Sequence, residues 1–231
     1  HCLGGGGKHL LAGGDVAGNF SYMNNTAGET GIGNLAYKTN IAGTIHITAN
    51  YATPNSFGMH RLVNQTNGGS ITVTNSSGFS VRNDTLLVTN ISLTGYRGGQ
   101  YTYLLNNSIT GNVSTADDAS YGGGYLTYIR NNSITGNSNF SNNGSNILAE
   151  ADIIGSENIY NGNVTFNGAG GPLLIGFGAP LQCTGNVTIN RTAAGSTSAF
   201  YAGANISGNF SYTNNTAGET GFGNMLNKTS I

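Results

Sequence analysis

Apolar and polar residues alternate with period two in a short segment that recurs along the chain: GNFSY at Gly18, GTIHI at Gly43, GSITV at Gly69, TNISL at Thr89, GNVST at Gly111, GNSNF at Gly136, GNVTF at Gly162, GNVTI at Gly185 and GNFSY at Gly208. A strand with one buried face requires this alternation. It predicts an inward column of Phe20 and Tyr22, Ile45 and Ile47, Ile71 and Val73, Ile91 and Leu93, Val164 and Phe166, and Val187 and Ile189. Asn19, Ser21, Thr44, Thr72, Asn163, Thr165, Asn186 and Thr188 fall on the outward side.

Two further apolar positions accompany the markers. One lies two residues before, at Val16, Ile41, Leu87, Ile109, Ile134, Tyr160, Cys183 and Ile206, with Asn67 as its polar exception. The other is a mid-repeat patch, read in HLLAG, NLAYK, HRLVN, YTYLL, YLTYI, NILAEA, PLLIGF and SAFYAG. Three short strands per repeat, none able to bury its inner face alone, predict one coil of an all-β parallel β-helix whose stacked coils share a core. The crossover rule gives right-handed coiling. Asn residues at matching positions predict side-chain hydrogen-bond ladders along the stack. A β-sandwich would place turns every 8 to 12 residues or so. A propeller blade needs four strands, for which about 24 residues is short.

A longer period encloses the short one. Gly18 to Ile41 returns at Gly208 to Ile231, an offset of 190 residues, with 18 of 24 positions identical and no gap. The steps between markers, 20 to 26 residues each, fill that offset, so eight coils are expected per long repeat. At about 4.8 Å between paired strands these would advance about 38 Å. Residues 1–231 therefore read as one continuous solenoid segment of a longer repetitive protein, with 1–41 repeating at 191–231.

Composition acts mainly by exclusion. Only 7% of the residues are charged and 38 are Gly, against roughly 25% charged in an ordinary soluble domain. Aromatic residues at 9% and recurrent Val and Ile separate the chain from disordered Gly- and Asn-rich sequences. A net charge of −1 without a basic run excludes the electrostatic footprint of a nucleic-acid binder. No apolar stretch reaches the roughly 18 residues of a membrane helix.

Candidate chemistry is sparse. Asp117 with Asp118, and Glu150, Asp152 and Glu157, are the acidic groups that could hold a cation or work in acid–base catalysis; solvated turns account for both. Calcium-binding solenoids repeat GGxGxD turns, whereas Gly13, Gly14 and Asp15 become Gly203, Ala204 and Asn205 one unit later. His46 should point outward alone, and His1, His9 and His60 lack partners at metal-ligand spacing. Cys183 occupies an apolar column and should be a buried free thiol. Cys2 aligns with Thr192 one long repeat on, so its sulfur would lie about seven coils from that of Cys183, and a disulfide between the two cysteines would contradict the fold. Asn-x-Ser/Thr triplets at Asn19, Asn64, Asn90, Asn163, Asn186 and Asn209 match a glycosylation acceptor pattern, which an Asn- and Thr-rich surface explains equally. Asp84, Thr85 and Leu86 match an O-glycan acceptor pattern of some bacteria. No catalytic, cofactor-binding or metal-binding residue is expected, and no cofactor.

The segments GNVTFN at Gly162, GNVTIN at Gly185 and GNFSYTNNTAGETGFGN at Gly208 resemble the repeats of giant, type IX-secreted surface proteins of the Bacteroidota, which include gliding adhesins and filamentous shafts of predatory appendages. The resemblance implies an extracellular or cell-surface location, export as a very long chain, and adhesion to surfaces or prey. Three functions are then in contention. The first is a structural shaft, partnered by neighbouring repeats and by copies of itself in a bundle or fibre. The second is a β-helix polysaccharide lyase or hydrolase, against which stand eight Lys and Arg spread along the chain. The third is a glycan- or ice-binding solenoid, suggested by outward Thr44, Thr72, Thr165 and Thr188, whose rank the unequal coil lengths are expected to interrupt.

Overall fold

The computed structural model describes residues 8–26, 28–95, 102–116, 126–142, 146–149, 157–169, 172–176, 178–192, 194–218, 220–223 and 229–231. Their regular structure is entirely β-strand. The strands form a 17-stranded and a 10-stranded sheet, and neighbours pair in parallel, each with the strand about one repeat away in sequence. This is the predicted parallel β-solenoid. One coil shows the plan: a marker strand Val187–Arg191, a middle strand Thr197–Ala199 and a closing strand Ala204–Ile206. The larger sheet holds two strand positions because marker and middle strands fuse in Ile45–His60 and Gly69–Arg82.

Like side chains stack along the axis. On the marker face Ile47, Ile71, Ile91 and Val113 follow one another in register, and each is 1% exposed or less. On the middle face Ile32, Met59, Val81, Leu104 and Ile129 do the same. Burying each such side chain stabilises the coil by about 1.5–3 kcal/mol. Rings meet where files from different faces converge, as with Phe140, Tyr160 and Phe166, whose centroids lie 5.5 to 6.4 Å apart.

The marker glycines are explained by crowding. A Cβ on Gly136, Gly162, Gly185 or Gly208 would lie 2.5 Å from backbone of the glycine one coil below. None of these four has a positive φ. They are glycines because backbones meet at this corner, where any side chain would force the coils apart.

Several positions differ from the sequence reading. Between the coils of Gly43 and Gly69 the marker strand slips by two residues, so that Ile45 pairs with Gly69 and Ile47 with Ile71. A two-residue slip leaves inward residues inward, because the side-chain period is two. In the closing column, Asn64 and Leu86 replace the expected Asn67 and Leu87: Asn64 pairs with Ile41 and Leu86 with Ile109. Longer connections before those markers cause the displacement. Asn64 is 2% exposed yet satisfied, its amide donating to the Thr66 and Leu87 carbonyls and accepting from the Leu87 N–H. Two mid-repeat patches also shift. Leu35 and Tyr37 of NLAYK are exposed, and Ile32 is the buried residue there. HRLVN forms the closing strand Leu62–Asn64, the middle position being held by Phe57 and Met59.

Candidate functional site

The outward side of the marker face carries a continuous file of small polar residues: Thr48, Thr72, Ser92, Ser114, Asn139, Thr165, Thr188 and Ser211 pair successively. The unequal coil lengths do not interrupt it, since the extra residues fall in connections between strands. Thr72, Thr165 and Thr188 lie in this file as the alternation implied. Thr44 does not; the two-residue slip places Thr48 there instead.

Amides flank the hydroxyls on both sides. Along one edge Asn112 donates to Asn90, and the side-chain oxygens of Asn112, Asn137, Asn163 and Asn186 each accept the N–H of the Asn one coil on, at 2.8 to 3.0 Å. Along the other, Asn167 donates to Asn139 and Asn190 to Asn167. These are the expected Asn ladders. The hydroxyls of Thr72, Ser92, Ser114, Thr165 and Thr188 make no hydrogen bond to the described residues. Between Ser70 and Asn139 the face dips into an open trough of about 620 Å³, where the file narrows to Ser92 and Ser114.

A second ladder turns the corner between middle and closing strands. Arg61, Asn83, Asn106 and Asn131 occupy the left-handed region, with φ of 54 to 59°, a conformation that Asn tolerates better than most residues. The residue after each of the three asparagines turns inward, giving a buried file of Asp84, Asn107 and Asn132 that continues to Asn158. Asn132 shows the repeating unit. Its amide donates to Leu104 O and Asn158 Oδ1, both at 2.8 Å, while its oxygen accepts the backbone and side-chain N–H of Asn107. The NNSITGN heptapeptide at Asn106 and again at Asn131 is the sequence signal of this corner, one that apolar patterning passes over because it is polar.

Titratable groups are scattered along these features. Burial pushes the Asp84 carboxyl up to about 8, against the lowering effect of hydrogen bonds from the Leu62 and Arg82 backbone. Burial, and then the Arg82 charge, lower His60. The Arg82 guanidinium lies 4.0 Å above the Tyr103 ring, which stacks on Tyr128 at 5.4 Å, with Arg130 5.0 Å from Tyr128. The stack follows from two outward tyrosines in register on adjacent middle strands, inside patches otherwise read as apolar.

The remaining sequence candidates are not brought together. His46 is exposed on the outward marker face, and Glu157 is exposed. Asp15 lies on the strand Gly14–Val16, where it accepts a hydrogen bond from Asn40 at 2.7 Å. Cys183 is a buried free thiol, its pKa raised by burial. Of the triplet Asp84, Thr85 and Leu86, only Thr85, which carries the hydroxyl, is exposed; Asp84 and Leu86 are buried. His1, Cys2, Asp117, Asp118, Glu150 and Asp152 lie outside the described residues, as does the side chain of His9. Among the described residues no group of three or more His, Cys, Asp or Glu could hold a metal ion, and no helix is long and apolar enough to cross a membrane. No family model, curated protein or solved structure matches the chain.

Proposed function

We propose that this chain is an axial segment of an extracellular filament or adhesin stalk by which a bacterium attaches to surfaces or prey. The observation that carries the reading is the coaxial return of the long repeat. Val16 and Ile206 occupy one closing-strand file, and Ile32 and Phe222 one middle-strand file, linked coil by coil through parallel pairing. Each 190-residue unit thus extends the stack along the same axis. Export by the type IX route, and kinship with Bacteroidota surface proteins, rest on the sequence resemblance.

The test is length. A chain in which residues 42–231 are repeated once more after Ile231 should image as a rod about 38 Å longer than the 231-residue chain, at the same width. Units that fold back on one another, or separate into beads, would refute the shaft.

A second reading, an uncharged-glycan-binding face on the same rod, is favoured by the uninterrupted file of small polar side chains, hydroxyls at every position but Asn139. Soluble hydroxyethyl cellulose in a native gel should retard the chain, and Ser114→Trp, which fills the trough, should abolish the retardation. Equal mobility with and without the polymer would dismiss this reading and leave the shaft standing.

A further inference from the structure

Asp84 stands where the other members of the buried corner file are asparagines. In Asn107, Asn132 and Asn158 the side-chain NH2 donates to a main-chain carbonyl one coil below: Val81, Leu104 and Ile129. In Asn107 and Asn132 it also donates to the side-chain oxygen one coil above. Asp84 keeps the accepting half of the pattern. Its Oδ1 takes the Leu62 N–H at 2.7 Å, and its own N–H donates to Asn107 Oδ1 at 3.0 Å. Its Oδ2 occupies the place of the NH2 and is buried without a partner. Met59 pairs with Val81, so the carbonyl in the place that Val81 O holds for the Asn107 NH2 is that of Met59. When ionised, Oδ2 would stay buried with no hydrogen bond of its own, since the Leu62 N–H is held by Oδ1 and the Arg82 backbone offsets only part of the burial.

We propose that Asp84 folds as the neutral acid, its O–H taking over the donor role of the asparagine NH2 toward the Met59 carbonyl, and that ionisation releases this corner of the coil. The charged and titratable neighbours do not reverse the argument. Arg82, on the strand leading into the corner, places its guanidinium over Tyr103. His60 and Arg61 belong to the coil below, and Glu157 sits at the far end of the file, exposed. Burial raises the Asp84 carboxyl to about 8, and no neighbouring charge contributes to that shift.

The sign follows from linkage. The unfolded carboxyl ionises near 4 and the folded one near 8, so the stabilising protonated form is fully present below about pH 4 and is lost as pH rises to about 8. The Asp84→Asn variant supplies the missing donor without a titration. The full 231-residue chain and this variant should unfold at similar temperatures at pH 4. Between pH 4 and 8 the folding equilibrium of the parent should fall about tenfold per pH unit relative to the variant. In the parent alone, the Asp84 carboxyl carbon, followed by NMR, should titrate near pH 8. A stability difference that does not change with pH, or an Asp84 resonance already ionised at pH 6, would overturn the proposal.

Discussion

Substituting one marker glycine tests the crowding on which the corner depends. In Gly162→Ala the new Cβ would sit 2.5 Å from Gly136 O and 2.7 Å from its carbonyl carbon. Ordinary contact begins near 3.4 Å, so the two coils must separate locally by about 0.9 Å. Three hydrogen bonds cross that gap within a residue of the glycine: Asn161 N–H to Ile134 O at 2.8 Å, Asn163 N–H to Asn137 Oδ1 at 3.0 Å, and Ser138 N–H to Asn163 O at 2.8 Å. Lengthened by about 0.9 Å, none remains a hydrogen bond. At about 1 kcal/mol each they account for about 3 kcal/mol, and the overpacking adds about 1–3 kcal/mol. The expected loss is therefore about 4–6 kcal/mol, measured by urea unfolding of the 231-residue chain. Gly18→Ala is the matched control, since nothing lies within 4 Å of a Cβ built there; it should be neutral or stabilise by up to about 1 kcal/mol. If Gly162→Ala lost under about 1 kcal/mol, or Gly18→Ala were equally damaging, crowding would not be the reason for glycine.

Two further outcomes follow from the ladders and the core. Asn132→Ala removes four buried hydrogen bonds and strands the Leu104 carbonyl and the Asn107 N–H, so it should cost about 3–5 kcal/mol in the same unfolding assay. Asn112→Ala, in the exposed ladder where water can replace the amide, should cost under about 1 kcal/mol; equal losses would show that burial does not distinguish the two ladders. Cys183 lies in the core with its thiol pKa raised by burial, so at pH 8 it should react with a thiol reagent at least about a hundredfold more slowly in the folded chain than in urea. A folded-state rate within about tenfold of the unfolded one would mean that the closing strand opens locally.

What the sequence makes legible is parity, and what it conceals is register. The inward positions of the marker strands are readable because period-two alternation reports which face each residue takes, and Ile47, Ile71, Ile91 and Val164 are indeed buried. The same alternation is blind to a slip of two, which is why Ile71 stacks on Ile47 and not on Ile45. Counting back from a marker fails at Asn64 and Leu86 for a related reason: the connection from closing strand to marker varies in length, and only backbone pairing fixes the column. The buried Asn file is illegible because an inward polar residue looks like a loop until its partners, 23 to 26 residues away, are known. Unequal coil lengths suggest a broken outward polar file, yet the variation lies outside the marker strands. A coil can therefore gain or lose residues at its connections while the stacked files, which carry the axial continuity, stay in step.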